Sequence, residues 1–161
     1  MSSPPRGAVE DCSTRSEADF PGAFDDPANL VVGSLALIGA GEATPAEIVQ
    51  RVGGQKFPVL VREGHVVTLR VGEGDRAHAA LGYGPLPQGE IDFRDGHETV
   101  TFVACEHGEA SGSSSDGPVT FWSGFILVGR PACVPLDVYV DTRPEPRRVE
   151  LELGRACQPR A

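Results

Sequence analysis

Basic charge is scarce in this chain. Its 161 residues carry 14 Lys and Arg against 23 Asp and Glu, a net charge of −9. Such a field repels phosphate backbones, so nucleic acid is a poor partner. Lys56 is the only lysine, and arginine supplies the rest, a skew that reads as GC-rich coding. Apolar runs are short: none approaches the roughly 20 residues of a membrane-spanning helix. No cysteine stands in a Cys-x-x-Cys pair, the spacing that zinc sites favour. The Gly-x-Ser-x-Gly elbow is missing, as are the alternating helices of the hydrolase fold that uses it. Gly39-Ala40-Gly41 follows an apolar run but lacks the third glycine of a dinucleotide loop.

What the chain does have is period-two alternation of apolar and polar residues. The clearest stretches are Val67-Thr68-Leu69-Arg70-Val71, Leu136-Asp137-Val138-Tyr139-Val140 and Val149-Glu150-Leu151-Glu152-Leu153. Successive strand side chains point to opposite faces, so each stretch buries one face and wets the other. The expected fold is all-β: an antiparallel β-sandwich, Ig-like or jelly-roll-like, of about nine short strands. Residues 1–28 read as an irregular segment pinned by Phe20 and Phe24, residues 29–155 as the sandwich domain, and 156–161 as a tail. One short helix is expected after Thr44-Pro45-Ala46-Glu47, which reads as a capping box, with Gly53-Gly54 as its stop. Residues 57–61 and 66–71 read as a hairpin across Arg62-Glu63-Gly64-His65. Residues 30–38 read as a central strand, or two short ones around a bulge at Gly33, and 119–128 as one central strand. Residues 106–118 and 84–90 read as the loops where recognition sits.

Cys12, Cys105, Cys133 and Cys157 are an even set spread through a β domain, which favours two disulfides and an oxidising compartment over free cytosolic thiols. Four cysteines allow three pairings. Cys105–Cys133 with Cys12–Cys157 is the preferred one, because the second bond would join the two ends of the domain. Residues 1–11 contain no export signal, so an extracytoplasmic setting rests on the cysteines.

Candidate chemistry is thin. Cys105-Glu106-His107, with His97 on the same strand, is similar to the ligand grouping of cupredoxins. Met1 is the only methionine, however, so no metal ligands are assigned. Asp92, Asp95, Glu98 and Glu106 flank one strand, but nothing in their spacing gives the paired carboxylates of a glycosidase. Trp122, Tyr83 and Tyr139 are the aromatics available to a ligand or partner; alternation turns Tyr139 away from the core and favours the core for Trp122. No cofactor is expected.

Gly54-Gln55-Lys56-Phe57-Pro58, Leu81-Gly82-Tyr83-Gly84-Pro85-Leu86-Pro87, Val100-Thr101-Phe102-Val103-Ala104-Cys105, Phe121-Trp122-Ser123-Gly124-Phe125 and Arg130-Pro131-Ala132-Cys133-Val134-Pro135-Leu136 carry a resemblance. Over about residues 12–155 the chain resembles a group of uncharacterised exported proteins of high-GC Gram-positive (actinobacterial) bacteria. The resemblance implies an extracytoplasmic setting and an export segment, and no activity. The leading expectation is a secreted or cell-envelope sandwich that binds a protein or small ligand without catalysis. An acid-residue hydrolase with an end-loop cleft comes second, and a metal carrier third.

Overall fold

The computed structural model describes residues 7–84, 93–106, 112–114 and 117–157. In chain order the strands are β1 (Ala8–Glu10), β2 (Leu30–Val32), β3 (Leu35–Leu37), β4 (Gly54–Lys56), β5 (Val59–Arg62), β6 (Val66–Val71) and β7 (Ala79–Gly82). Then follow β8 (Thr99–Val103), β9 (Gly112–Ser114), β10 (Gly117–Trp122), β11 (Phe125–Val128), β12 (Ala132–Val140) and β13 (Arg147–Leu153). They form a five-stranded sheet β1-β8-β6-β12-β13, a second five-stranded sheet β2-β3-β5-β10-β9 and a three-stranded sheet β4-β11-β7. All pairs are antiparallel except β1 beside β8. The fold is all-β and sandwich-like, with open sheets.

Alternation builds the first sheet as expected. Val67, Leu69 and Val71 of β6, Val134, Leu136 and Val138 of β12, and Leu151 and Leu153 of β13 all point into one core. They meet Leu35, Leu37, Val59, Val61 and Trp122 of the second sheet. The second sheet is covered on its other face as well. There Ala36, Leu60, Val119 and Phe121 pack under Phe20, Ala23 and Phe24, so the N-terminal segment serves as a third layer. Phe20 meets Phe121 edge-on at 4.8 Å between centroids.

The one α-helix among the described residues, α1 (Ala46–Val52), stops at Gly53, which takes the left-handed φ of 75°. The capping box does not form: Pro45 is the N-cap, and Thr44 is drawn into a bridge with Leu153 instead. Val49 is buried, whereas Val52 is 55% exposed.

Several connections differ from the sequence reading. Within residues 1–28, Ala8–Glu10 forms an edge strand. Strands β5 and β6 are not a hairpin; the turn at Arg62–His65 carries the chain from the second sheet to the first. Residues 30–38 form a tight β2–β3 hairpin around Gly33, whose φ is 56°. Residues 119–128 break at Ser123-Gly124 into β10 and β11, which belong to different sheets. The break has a local cause: a Cβ on Gly124 would strike the Tyr83 ring, so only glycine lets the chain cross there. Within residues 106–118, Gly112–Ser114 pairs with β10, which begins at Gly117; residues 107–111, 115–116 and 85–90 lie outside the described residues.

All four cysteines form disulfides, but in a pairing other than the preferred one. Cys12 joins Cys105 with Cα atoms 4.8 Å apart, and Cys133 joins Cys157 at 5.0 Å. Cys12 follows β1 and Cys105 lies just past the end of β8, so the parallel pairing of those strands brings them together. The β12–β13 register sets Cys133 opposite Glu152, and the turn after Gly154 returns Cys157 to it. The loops span 93 and 24 residues. On chain entropy alone they contribute roughly 4.7 and 3.5 kcal/mol.

Candidate functional site

The site grows from the edge strand β1. Its burial alternates: Val9 is 45% exposed, while Glu10 faces inward and is 5% exposed. A carboxyl is an unusual inward residue, since burying its charge is costly. The segment is held on every side. Glu10 pairs with Phe102 across the sheet, the next residue but one is disulfide-bonded, and Trp122 Nε1 donates to the Asp11 carbonyl at 2.9 Å. Asp11 then caps the 3-10 turn Cys12–Thr14. Its carboxylate accepts from the Ser13 N–H at 2.9 Å, and the Asp11 N–H donates to the Thr14 hydroxyl at 2.9 Å.

Glu10, Thr14, Ser16, Gly84 and Ser123 line a cavity of about 290 Å³. Ser16 is fixed by its N–H bond to the Phe121 carbonyl at 2.8 Å, and its hydroxyl lies 3.5 Å from that of Ser123. Ser123 is exposed at the β10–β11 corner. Gly84 sits at φ 90°, and a Cβ there would come within 3.3 Å of the Glu10 carboxylate. Glycine therefore gives the carboxyl its room.

Burial pushes the Glu10 carboxyl up from 4.5 to about 7, the neighbouring Asp11 charge adds to the rise, and a hydrogen bond from Thr14 opposes it. Asp11 itself lies below its ordinary value, chiefly because the Ser13 hydroxyl stabilises its charge. Near neutrality Glu10 is thus a group that both donates and accepts, amid three hydroxyls that do the same.

Catalytic arrangements find less support. No histidine lines this cavity among the described residues. His65 pairs with Asp141 at 3.2 Å, His78 pairs with Asp75 at 3.1 Å, and the His97 backbone pairs with Leu81. Among the described residues that line the cavity there is thus no imidazole beside Ser123, and Glu10 is the one carboxylate. Of the acids flanking β8, Glu98 is engaged by Arg70 and Arg76 at 3.2 and 3.3 Å, while Asp92 lies outside the described residues. His107 also lies outside them. The donor cluster Cys133, Glu150 and Cys157 has its two sulfurs joined to each other, so neither is available as a thiolate ligand.

The aromatics named from the sequence fall in different places. Trp122 and Tyr83 have no exposure at all: the Tyr83 hydroxyl donates to the Phe57 carbonyl at 2.6 Å, and both rings pack on Phe102. In this structure neither presents surface to a partner. Tyr139 is half-buried on the face of β12 turned from the core. Sequence reasoning missed Glu10, because a three-residue strand is too short to show a period. The Asp11-x-x-Thr14 capping spacing was the available signal that an ordered turn begins there.

Comparisons with protein-family models, curated proteins and solved structures return no match to this chain.

Proposed function

We propose that this chain is an extracytoplasmic binding module without catalysis of its own. Its Glu10 cavity takes a small neutral ligand bearing hydroxyl or amide groups. The observation that carries the reading is a buried carboxyl, protonated for much of the time near pH 7, facing a concave wall of three hydroxyls. Such a surface exchanges hydrogen bonds with a polar neutral molecule. The two disulfides support an oxidising setting. No helix among the described residues is long and apolar enough to cross a membrane.

The test is a titration of ¹⁵N-labelled protein with a panel of neutral mono- and oligosaccharides and amides. The expected result is saturable shifts at Thr14, Ser16, Gly84 and Ser123, with the compound recovered intact. Cleavage of a bound compound would replace this reading with the hydrolase one. A panel that moves none of these amides would remove the cavity from consideration.

A further inference from the structure

A different cavity, independent of the Glu10 reading, carries the clearest sign of a missing partner. It lies where the β2–β3 turn meets the β12–β13 hairpin and encloses about 240 Å³. Ser34, at the turn, lines it. This residue is only 6% exposed, and among the described residues its hydroxyl has no hydrogen-bond partner. Buried hydroxyls in folded proteins are nearly always bonded, so an unpaired one in the wall of a cavity marks a place where an acceptor would complete it once the side chain turns toward it.

Arg143 and Arg147 line the same cavity. Arginines on and beside the first sheet are paired elsewhere: Arg148 with Asp137 at 3.0 Å, and Arg70 and Arg76 with Glu98. Among the described residues Arg143 and Arg147 have no ion-pair partner, in a chain where acids outnumber bases by 23 to 14. Among the described residues the one acid that lines the cavity is Asp141, and its carboxylate is turned to other work. Both oxygens lie 3.2 Å from His65 Nδ1, and one accepts the Val66 N–H at 3.2 Å. Glu145 is in the same hairpin turn but does not line the cavity.

We propose that this cavity binds a phosphate group, with the Ser34 hydroxyl and the Arg143 and Arg147 guanidiniums as its donors. The donor set decides the class. Two guanidiniums and a hydroxyl match the several acceptors of a tetrahedral oxyanion, repel a cation, and would be left unsatisfied by an apolar molecule. The net charge of −9 does not forbid it, because charges beyond roughly 8 Å are screened at physiological salt. The molecule also contains its own control. A cavity of about 300 Å³ has Arg130 and Arg155 beside the Asp75–His78 pair, a similar charge set, but no unpaired buried hydroxyl lines it.

Titrating the full ¹⁵N-labelled chain with inorganic phosphate tests the proposal. Saturable shifts are expected at Gly33, Ser34, His65 and Asp141. Arg143→Gln and Arg147→Gln should each weaken binding about tenfold. Arg130→Gln with Arg155→Gln should leave it within about twofold. Ser34→Ala should weaken binding severalfold while the remaining amide spectrum stays unchanged, which separates lost contact from lost fold. Glycerol 3-phosphate distinguishes the sources: binding as tight as the free ion points to an ester, weaker binding to inorganic phosphate, and both keep the site. Shifts that never saturate, or equal losses from the two arginine pairs, would overturn it as mere surface attraction.

Discussion

The two large sheets bury their side chains differently. The first has one face in the core and one toward solvent, and its strands β12 and β13 alternate accordingly, with Asp137, Tyr139, Arg148 and Glu150 turned out. The second has no wet face at its centre: Val59, Leu60 and Val61 of β5 are all fully buried. Its outer face is closed by Phe20 and Phe24, with the Arg62 guanidinium 4.2 Å above the Phe24 ring. The contrast teaches that a segment without regular structure can complete a core. Residues 12–28 hold few regular elements, yet they cover the centre of one sheet face and supply Ser16 to the cavity wall. The Cys12–Cys105 bond ties the start of that cover to the first sheet.

If the cover matters this much, its clamp should matter more than the other. Replacing Cys12 and Cys105 together by Ser should cost about 4–5 kcal/mol in urea unfolding, against about 3.5 for Cys133 with Cys157. An inverted order would mean that the N-terminal cover is dispensable. Next, Phe121→Ala, which strips the outer face of the second sheet, should cost about 3 kcal/mol. Tyr139→Ala, on the wet face of the first sheet, should cost less than about 1 kcal/mol. Equal losses would erase the distinction between the faces.

Between these lies a pH effect at the junction of the two regions. The folded-state value of Glu10 is raised, so its protonated form favours folding. That stability is present below about pH 4.5 and is lost as pH rises through about 7. Glu10→Gln cannot ionise. It should match the parent near pH 4 and exceed it above pH 8 by about 1–3 kcal/mol, allowing for partial screening. Thermal unfolding across this range reads the divergence; parallel profiles would show that the carboxyl is not buried.

The first sheet was legible because water on one side imprints a rhythm on β6, β12 and β13. The second was less so, since burial on both faces leaves an apolar run with no phase. That is why the 119–128 stretch read as one strand: nothing local announces that Gly124 must clear the Tyr83 ring. The 62–65 turn looks like a hairpin loop because turn residues specify a reversal and say nothing of which sheet receives the next strand. The cysteines named the bonds without the partners, which depend on β1 lying parallel to β8. The Glu10 cavity was out of reach for the same reason, as its walls come from β1, the turn after it, Gly84 and the β10–β11 corner.

The most direct measurement is the titration of the Glu10 carboxyl itself, followed by ¹³C NMR with Glu10→Gln to assign the signal. A cavity built around a buried acid predicts a midpoint of about 7. A midpoint at the ordinary 4.5 of an exposed glutamate would contradict the account.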